Sequence, residues 1–485
     1  MSLPPSNNLR DILMQSDAVR AAFETGEDMG QRAYLVGGAV RDLLMNSRLG
    51  NDLDFVVEGG GIVFARAFAE RVNGSFFILD EERDSSRVVS RKGFQADFSG
   101  MRGNIEEDLG LRDFTINSLA IPLDSIFKTV ASGQWSVVST ILDPLEGKND
   151  IERRHLRASS QNSIQEDPLR IMRAFRFYSS LDFAIDEKLS SQIKKHCRDL
   201  STVSEERVRA ELFMILDMPG AYNVLGRMDE LGVLTVLFPE LAEWKGFYQG
   251  GWHAHDLFNH SMKTVEAAEG VFRDLSGYFP KYHEQIESHI SEEVEAGVTR
   301  RGLLKLASLL HDSGKLHTRV MEGRRGRFLG HEKAGDEISL AVARRLKLSR
   351  RSEMTLRGLT ANHMRLLGLS KLKNVTSRAR YRFFRDTGGF GIDLLLLSMA
   401  DSMATPVENE KWEGMKKLIG RLADYYFEEF TLVPQRPLLT GEDIMRMFGI
   451  PEGKEVGDML EALREAEMLG KISNRKEAVE YLKKM

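Results

Sequence analysis

The spacing of apolar residues divides the chain into two regions of different texture. Between residues 31 and 145, short apolar runs alternate with segments of helical period. The predicted strands are YLVGG, DLDFVV, SFFILD, RVVS and FQADF, and the predicted helices are AVRDLLM and IVFARAFAERV. This alternation predicts a small mixed α/β head over residues 31–145, preceded by a leading helix over residues 1–30.

Helical periodicity replaces the strand pattern from about residue 146. Segments such as DPLRIMRAFRFYSSL and SEERVRAELFMILDM place apolar residues three and four apart, which is typical of amphipathic helices. The stretch GGWHAHDLFNH opens a further helical region, and the tail from Arg436 is predicted to be helical with a turn at GIPEGKE. The predicted fold class is therefore α+β, a mixed α/β head followed by mostly helical segments over residues 146–245, 246–410 and 411–485.

Composition is that of an ordinary globular protein. The chain has 485 residues, 42% hydrophobic and 29% charged, which corresponds to about three domains. Its single cysteine, Cys197, excludes an internal disulfide framework and fits a reducing compartment. The start MSLPPSNNLRDIL lacks the basic and apolar parts of a secretory signal, and no apolar run approaches the length of a membrane span. We therefore expect a cytoplasmic protein with no membrane partner.

The basic clusters along the sequence say more about nucleic-acid binding than the net charge does. The net charge of −5 weakens the case for nucleic-acid binding, because such proteins are often basic overall. The position of the charge matters more than its sum, however. Basic residues cluster at Arg170, Arg173 and Arg176, and again between Lys371 and Arg385. Each cluster is either a solvated surface or part of an anion site.

A phosphate-binding turn is predicted where the first strand meets the first helix of the head. The stretch YLVGGAVRDLL places Gly37 and Gly38 between these two elements. Glycines let the backbone approach a phosphate closely, and a helix N-terminus offers N–H groups to it. Arg41 follows one turn later and can reach the same anion.

Two aspartates follow in the next predicted strand, NDLDFVV. Asp52 and Asp54 are two residues apart, so their side chains point to the same face. Such carboxylates repel each other unless a cation lies between them, and Mg²⁺ prefers one or two carboxylates together with substrate phosphates. A metal site of this kind can activate a hydroxyl and neutralise a leaving pyrophosphate. Asp97, in FQADF, is a candidate third carboxylate, and a surface position at the strand end is equally consistent with its sequence.

Five ordered motifs resemble those of the class II tRNA nucleotidyltransferases, within the polymerase-β-like superfamily. They extend over about residues 30–215 and are LVGGAVRDLL with NDLDFVV, LRDFTINSLA, DPLEGKNDI, EDPLRIMRAFRF and SEERVRAEL. The resemblance implies a nucleotidyltransferase head that adds cytidine or adenosine to the 3′ end of tRNA, with Asp52 and Asp54 catalytic and holding Mg²⁺. We take Asp97, from its place in the strand, as the third catalytic residue. One departure is Leu111, where the second motif often has arginine, which leaves one cation fewer near the nucleotide.

The resemblance also implies a nucleotide site. Its residues would be Gly37, Gly38, Arg41, Arg112, Asp113, Asn117, Asp167, Arg170 and Arg173. Arg112 and Asp113 would contact the ribose and triphosphate, with Asn117 close by. Asp167 and Arg170 would be the protein template for the incoming base. On a helix these two residues share a face, and a carboxylate beside a planar guanidinium can imitate a base edge. A simple ion-pair ladder would have the same spacing.

The segment between the first and second motifs bears on which nucleotide is added. In the family that the sequence resembles, a flexible loop there is required for the final adenosine, and CC-adding members have it shortened. The segment FSGMRGNIEEDLGL between Asp97 and Arg112 is short. We therefore expect a CC-adding enzyme that uses CTP, with a separate A-adding enzyme in the same cell. A full CCA-adding or an A-adding enzyme that uses ATP is the alternative, and a poly(A) polymerase of the same class is also possible.

Histidines and aspartates in the middle of the chain resemble the HD phosphohydrolase superfamily in their order, H…HD…H…H…D. They are His260, His311, Asp312, His331, His363 and Asp401. Imidazole and carboxylate groups suit Mn²⁺, Fe²⁺, Ni²⁺ or Zn²⁺, and six such ligands are enough for two metals with a hydroxide that attacks a phosphate ester. A lone histidine on an apolar helix would more simply be a core residue. We expect an HD domain over residues 246–410, with Lys315 as a candidate phosphate contact.

The remaining segments are assigned by resemblance to bacterial members of the same family. The neck over residues 146–245 would carry the base-selecting helix, and the tail over residues 411–485 would contact tRNA. Two other functions are consistent with the sequence: an HD phosphohydrolase acting on RNA ends or nucleotides, with the head as a nucleotide sensor, and a non-catalytic RNA-binding protein. The pair Asp52 and Asp54 argues against the latter, because a simple binder gains nothing from two crowded carboxylates.

Overall fold

The structure is a computed structural model that describes residues 6–128, 140–248, 255–322, 325–405, 409–432 and 437–485. The chain forms two compact units, one of Met1–Ser204 with Glu230–Val236 and one of Glu205–Asp229 with Leu237–Met485. Residues of the predicted neck, 146–245, are found in both units, and the finer five-part division stays a prediction. In the described parts of the chain, every helix is too short or too polar to cross a membrane.

A six-stranded mixed sheet forms the centre of the first unit. Its strands are β1 (Ala33–Val36), β2 (Asp52–Val57), β3 (Ser75–Asp80), β4 (Ser85–Val89), β5 (Gln95–Gly100) and β6 (Ala120–Pro122). Their order across the sheet is β3-β4-β5-β2-β1-β6, with β2 and β5 parallel and the other neighbours antiparallel. The five runs predicted as strands are β1 to β5, whereas β6 was not predicted.

Helices surround this sheet and continue beyond it. They are α1 (Ser6–Gln15), α2 (Asp17–Met29), α3 (Gly38–Asn46), α4 (Gly61–Val72), α5 (Ile105–Gly110), α6 (Leu123–Phe127), α7 (Gly147–Arg153), α8 (Ser163–Glu166), α9 (Arg170–Leu181) and α10 (Glu187–His196), with short strands β7 (His155–Leu156) and β8 (Ala184–Ile185). The prediction of one leading helix is wrong, because Ser16 separates α1 from α2. Its side chain accepts a hydrogen bond from the Val19 N–H at 3.4 Å and so caps the second helix.

Phenylalanine rings hold α4 against one face of the sheet. Phe98 of β5 stacks on Phe55 of β2, with ring centroids 5.1 Å apart, and also contacts Phe64 and Phe68 of α4. All four side chains are buried. Because successive side chains of a strand point to opposite faces, the acidic positions next to Phe55 and Phe98 face away from this apolar layer. The packing of α4 therefore fixes the acidic face of β2 and β5.

The chain after residue 204 is mostly helical. Its helices are α11 (Glu205–Asp217), α12 (Ala221–Glu230), α13 (Val233–Leu237), α14 (Leu257–Arg273), α15 (Leu275–Tyr278), α16 (His283–Ile290), α17 (Arg300–Leu310), α18 (Lys315–Thr318), α19 (His331–Arg345), α20 (Arg350–Asn362), α21 (Arg365–Ser370), α22 (Ser377–Thr387), α23 (Gly391–Ala404), α24 (Asn409–Tyr425), α25 (Gly441–Phe448), α26 (Lys454–Met468) and α27 (Arg475–Leu482). Two short hairpins interrupt them: β9 (Glu293–Glu295) with β10 (Val298–Thr299), and β11 (Val320–Glu322) with β12 (Arg325–Arg327). Helix α14 packs on α17 and α23, and α19 packs on α20.

The last three helices have a small apolar core of their own. It consists of Leu439, Ile444, Val456, Leu463, Ala466, Ile472, Ala478 and Leu482. Helix α25 begins with a reciprocal cap between Thr440 and Asp443 and ends at Gly449, whose φ of 67° begins the turn predicted at GIPEGKE. Arg436, where the tail helix was predicted to start, and the GGWHA portion of GGWHAHDLFNH lie outside the described residues.

Arginines of the basic stretch between Lys371 and Arg385 contact this tail. Arg378 and Arg382 form ion pairs with Glu465 of α26, and Arg385 pairs with Glu461. These side chains therefore join α22 to α26, although Arg378 and Arg382 stay about half exposed.

Candidate active site and metal centre

The turn between β1 and α3 is shaped by Gly37. Its φ of 71° lies in the left-handed region that favours glycine. A Cβ at this position would lie 2.9 Å from Nη1 of Arg112 and 3.4 Å from Oδ2 of Asp54. The absence of a side chain thus lets a guanidinium and a carboxylate come close to the start of α3, where Gly38 and Arg41 follow.

The acidic face of the sheet brings three aspartates together. Asp52 and Asp54 flank buried Leu53 on β2, and Asp97 lies opposite Asp54 on β5. Burial raises the pKa of Asp54 to about 6, although Arg112 opposes the shift. The neighbouring carboxylates of Asp97 and Asp52 contribute to the rise. Since a cation beside these carboxylates would relieve their repulsion, the donor set fits Mg²⁺.

Asp97 differs from the other two aspartates because its charge is already balanced. Its two oxygens accept hydrogen bonds from Nε and Nη2 of Arg87 at 2.8 and 2.7 Å, a bidentate pair. Asp52 accepts one hydrogen bond, from Nε2 of Gln95 at 2.8 Å. The structure thus places Asp97 beside Asp54 as expected, and its role as a third catalytic carboxylate stays a prediction.

Asp113, which also lines the cleft, is a buried carboxylate that accepts hydrogen bonds from several groups of the site. Its Oδ2 accepts from Nε and Nη2 of Arg173 at 2.9 and 2.8 Å, and its Oδ1 accepts from Nδ2 of Asn117 and the Phe114 N–H. Burial alone would raise the pKa of Asp113, but Arg173 and these hydrogen bonds hold it below its ordinary value. Asn117 in turn accepts from Nη1 of Arg41 at 2.6 Å. Asp113 thus orients Arg173 and Asn117, and its predicted contact with ribose stays a prediction.

Asp167 and Arg170 do not share a helix, so the predicted helical pairing is wrong. Asp167 lies after α8 in extended backbone, with φ −147° and ψ 100°, and Arg170 is the first residue of α9. Pro168 accounts for the break, because a proline disfavours helical backbone at the residue before it. Nη1 of Arg170 donates to Oγ of Ser163 at 2.8 Å, and its Nη2 donates to the Leu111 carbonyl at 2.7 Å. The guanidinium is thereby held in one orientation.

One cleft of about 380 Å³ is lined by these groups. The predicted nucleotide residues that line it, together with Asp54, are Gly37, Gly38, Arg41, Arg112, Asp113, Asn117, Asp167, Arg170 and Arg173. Two further lining residues, Arg176 and Phe177, had not been assigned to the site. Arg176 carried a signal as a member of the basic cluster, whereas Phe177 reads as an ordinary core position of an amphipathic helix. Residues of the first, second and fourth motifs, far apart along the chain, therefore line a single cavity, and the third and fifth motifs contribute none of the described residues that line it.

A second cluster lies in the helical unit, where Asp312 stands between two pairs of histidines. Its Oδ2 is 3.3 Å from Nε2 of both His260 and His311, and its Oδ1 is 3.4 Å from Nε2 of both His331 and His363. Asp401 completes the first group, with Oδ1 3.3 Å from Nε2 of His260 and 3.5 Å from Nε2 of His311. All six residues predicted from the HD order are therefore brought together, with one carboxylate shared by two groups.

Backbone carbonyls fix the orientation of three of these imidazole rings. Nδ1 of His311 donates to the Ser308 carbonyl at 2.9 Å, and His331 and His363 donate in the same way to the carbonyls of Phe328 and Thr360 at 2.7 Å. Because a carbonyl only accepts, the proton is on Nδ1, and in the neutral ring Nε2 presents a lone pair. Nε2 atoms of His331 and His363 face each other at 3.1 Å, an arrangement suited to a cation between them.

The carboxylates of the cluster also favour a positive charge beside them, either on an imidazole ring or on a metal ion. Burial alone would lower the pKa of His311, but Asp312 and Asp401 raise it to about 10. The Asp312 carboxylate is buried and forms an ion pair with Nζ of Lys315 at 2.5 Å. His260, His311 and Asp312 on one side, and Asp312, His331 and His363 on the other, each form a group that could hold a metal ion. Imidazole and carboxylate donors suit a divalent transition metal.

Three families match successive parts of the chain. The poly(A) polymerase head domain matches residues 33–93 and 78–157, the probable RNA- and SrmB-binding site of polymerase A matches residues 182–245, and the HD domain matches residues 257–402. The head cleft and the histidine cluster thus fall in separately recognised domains.

Curated proteins of similar length match nearly the whole chain. It is 33% identical to the CC-adding tRNA nucleotidyltransferase of Geobacter sulfurreducens, covering 94% of this chain and 92% of that protein. It is 32% identical to the A-adding tRNA nucleotidyltransferase of Deinococcus radiodurans, covering 93% and 95%. A solved structure of the Thermotoga maritima CCA-adding enzyme complexed with tRNA has the same fold, with a TM-score of 0.62 at 22% identity over 99% of both chains.

Proposed function

The chain belongs to the tRNA nucleotidyltransferase family, and we propose that it transfers CMP from CTP to the 3′-hydroxyl of tRNA, with release of pyrophosphate, as a CC-adding enzyme. The observation that carries this proposal is the head cleft, in which the Asp54 carboxylate faces a set of arginines across a space of about 380 Å³. A carboxylate suits a metal ion and arginines suit a triphosphate. The cleft therefore has both kinds of group that nucleotidyl transfer needs.

Asp52 and Asp54 would hold Mg²⁺, which when bound neutralises charge on the phosphates and favours attack by the hydroxyl. The protein itself positions the nucleotide. Gly37 allows the phosphate chain to approach the backbone, and Arg41, Arg112 and Arg173 neutralise it. The 3′-hydroxyl loses its proton to solvent as its oxygen bonds to the α-phosphorus, the bond from that phosphorus to the α,β-bridging oxygen breaks, and pyrophosphate leaves on the arginine side.

Asp167 and Arg170 would select the base. Arg170 lines the cleft and is held by Ser163, the Leu111 carbonyl and Glu166, so its guanidinium has a fixed position there. An arginine that donates beside an aspartate that accepts matches the acceptor and donor pattern on the edge of cytosine better than that of uracil. A rigid pair of this kind discriminates between bases without a nucleic-acid template.

The segment between Asp97 and Arg112 supports addition of CC rather than CCA. Strand β5 ends at Gly100, and α5 begins only five residues later, at Ile105. The helix has a reciprocal cap between Asn104 and Glu107, and buried Asp108 contacts Arg102. This compact segment leaves little length for the flexible loop that adenosine addition requires in the family. Relatives of both specificities have nearly the same identity to this chain, so the segment is the more informative feature.

Incorporation of labelled CTP and ATP, measured separately, tests the proposal. One substrate is tRNA ending before CCA, and the other is tRNA ending in CC. Incorporation of C alone on the first substrate supports a CC-adding enzyme and implies a separate A-adding partner. Incorporation of both nucleotides, each on its matching substrate, would establish a full CCA-adding enzyme, and A alone would establish an A-adding one.

The helical parts of the chain would hold tRNA by its backbone and shape, as is usual for double-stranded RNA. Affinity for tRNA should then fall as salt rises, because phosphate contacts release counterions. A tRNA affinity that does not change between low and high salt would contradict this part of the proposal.

A second activity, hydrolysis of a phosphate ester on an RNA end or a nucleotide, is favoured by the HD cluster. The specific observation is Asp312, whose two oxygens each face a separate pair of histidines. The two groups that share Asp312 would each hold a metal ion, and the metals when bound would supply an activated hydroxide as nucleophile. Release of phosphate or opening of a 2′,3′-cyclic phosphate, measured with Mn²⁺, Ni²⁺, Fe²⁺ or Zn²⁺ in turn, tests this activity and identifies the metal.

A further inference from the structure

Phe177 occupies an unusual place at the cleft. It lies in the second turn of α9, its side chain is buried, and its ring meets the Phe114 ring edge-on with centroids 5.7 Å apart. It nevertheless lines the cleft beside the arginines. Because this ring is packed in the core and also forms part of the cavity wall, it can hold neighbouring side chains of the site in place.

Three guanidinium groups surround this one ring. The Cζ atoms of Arg41, Arg173 and Arg176 lie 5.2, 5.5 and 4.6 Å from the ring centroid. Arg41 comes from α3 and the other two come from α9, so the ring joins two helices of the head unit. Three like charges repel one another, whereas the electron-rich face of an aromatic ring attracts each of them. The ring therefore offsets part of the repulsion that would otherwise push the arginines apart.

Two of these arginines are also fixed at their nitrogen atoms. Arg41 donates to Asn117 Oδ1 at 2.6 Å, and Arg173 donates to Asp113 Oδ2 at 2.8 and 2.9 Å. Hydrogen bonds set the position of individual nitrogen atoms, and the ring lies within 5.5 Å of the central carbon of each guanidinium. Together they hold the arginines before a ligand arrives, which lowers the conformational cost of binding.

We infer that Phe177 is a positioning residue for the triphosphate, acting through Arg41, Arg173 and Arg176, and that Arg176 is a further cation of the nucleotide site. The inference rests on the proposed function, because it takes the anion of this cleft to be the triphosphate of CTP. Phe177 itself contributes through the electron density of its ring and does not have to touch the nucleotide.

Stepwise fluorination of the Phe177 ring separates this role from simple packing. Fluorine withdraws electron density from the ring face with little change of size, so it weakens cation–π contacts while the core stays filled. We expect the dissociation constant of CTP, measured by titration calorimetry with Mg²⁺, to rise with each added fluorine, and by about tenfold for Phe177→Leu. The control is Phe175→Leu, which removes a fully buried phenylalanine of the same helix that does not line the cleft.

The outcomes are distinct. A graded loss of CTP affinity in the fluorinated series, with Phe175→Leu lowering only the melting temperature, supports the inference. An unchanged CTP affinity across the series, or equal effects of the two leucine variants, would show that Phe177 is a core residue only. Incorporation of C by the wild-type protein is measured in parallel. If the wild type neither binds CTP nor incorporates it, the proposed function fails, and that result differs from failure of the Phe177 inference alone.

Discussion

The head cleft is lined by guanidinium groups together with the Asp54 carboxylate, whereas the HD cluster gathers imidazole rings and carboxylates with Lys315 at its edge. The cleft is lined by arginines, several of which are held by hydrogen bonds, so its electrostatic field favours an anionic ligand. Five residues of the cluster are buried and Asp401 is partly exposed, and the nitrogen and oxygen atoms of the buried five form groups that could hold metal ions. The two sites thus differ in the groups that they offer: guanidinium N–H groups line the cleft, whereas imidazole nitrogens and carboxylate oxygens form the cluster.

The largest expected effect comes from removing the head carboxylates. With both Asp52→Asn and Asp54→Asn, CMP transfer should fall at least about a thousandfold, equivalent to about 4 kcal/mol of transition-state stabilisation. The asparagines keep the size of the side chains but not the charge that would hold Mg²⁺. Single-turnover incorporation of labelled CTP measures this. Hydrolysis at the HD cluster should stay unchanged, and Asp80→Asn on β3, an edge strand of the same sheet, is the matched control. Transfer at the wild-type rate in the double variant would move the main chemistry to the HD cluster.

The next largest expected effect is stabilisation of the folded protein by a metal at the HD cluster. A transition metal at a hundred times its dissociation constant would stabilise the folded protein by about 2.7 kcal/mol. We expect the melting temperature to rise on addition of such a metal and this rise to be lost in Asp312→Asn, because one carboxylate serves both histidine pairs. Asp336→Asn, which breaks an ion pair with Arg357 in the same helical unit, should keep the metal response. A metal response preserved in Asp312→Asn would contradict the shared-carboxylate arrangement.

Base selection should show an intermediate effect. Asp167→Asn replaces an acceptor with a group that can also donate, so discrimination between CTP and UTP should fall about tenfold, in line with the net value of one hydrogen bond to a charged group. The ratio of kcat/KM for the two nucleotides measures it. Asp182→Asn, just beyond the end of α9, is the control, since Asp182 forms an ion pair with Arg154 away from the cleft. If the ratio is unchanged, another group reads the base.

These comparisons also show which features could be predicted from the sequence. The strands β1 to β5 followed from short apolar runs, and the residues of the cleft followed from ordered motifs. The break at Ser16 and the loss of helix at Asp167 were missed although both have local causes, a capping serine and a following proline. Phe177 could not be recognised, because a buried aromatic residue in an amphipathic helix has the same pattern whether or not arginines surround it. The sharing of Asp312 between two histidine pairs depends on how α14, α17, α19, α20 and α23 pack, which periodicity does not specify.

A smaller effect follows from the pKa of Asp54. Burial raises that pKa from 3.8 to about 6, so protons compete with Mg²⁺ for the carboxylate below about pH 6. At limiting Mg²⁺ the transfer rate should fall about tenfold for each pH unit below that point, and added Mg²⁺ should restore it.

The raised pKa of Asp54 also makes the stability of the folded protein depend on pH. Because the pKa is higher in the folded protein, the contribution of Asp54 to the free energy of unfolding is present below pH 3.8 and is lost as the pH rises through about 6. A transfer rate that is insensitive to Mg²⁺ at pH 5 would contradict the competition between protons and Mg²⁺ for Asp54.

The smallest effect tests whether Asp97 acts on Asp54 through its charge. Arg87 balances that charge in the structure, with hydrogen bonds of 2.7 and 2.8 Å to the two oxygens of Asp97. In Arg87→Met the Asp97 charge would be unbalanced beside Asp54, and the like charge should raise the pKa of Asp54 further. The acid limb of the rate profile should then move upward by about half a pH unit while the rate above pH 8 stays within about twofold. Arg83→Met, which removes an exposed arginine paired with Asp80, is the control. An unmoved acid limb would mean that Asp97 does not influence Asp54 electrostatically, whereas a faster reaction at every pH would indicate that Asp97, once released from Arg87, joins the metal site as a third carboxylate.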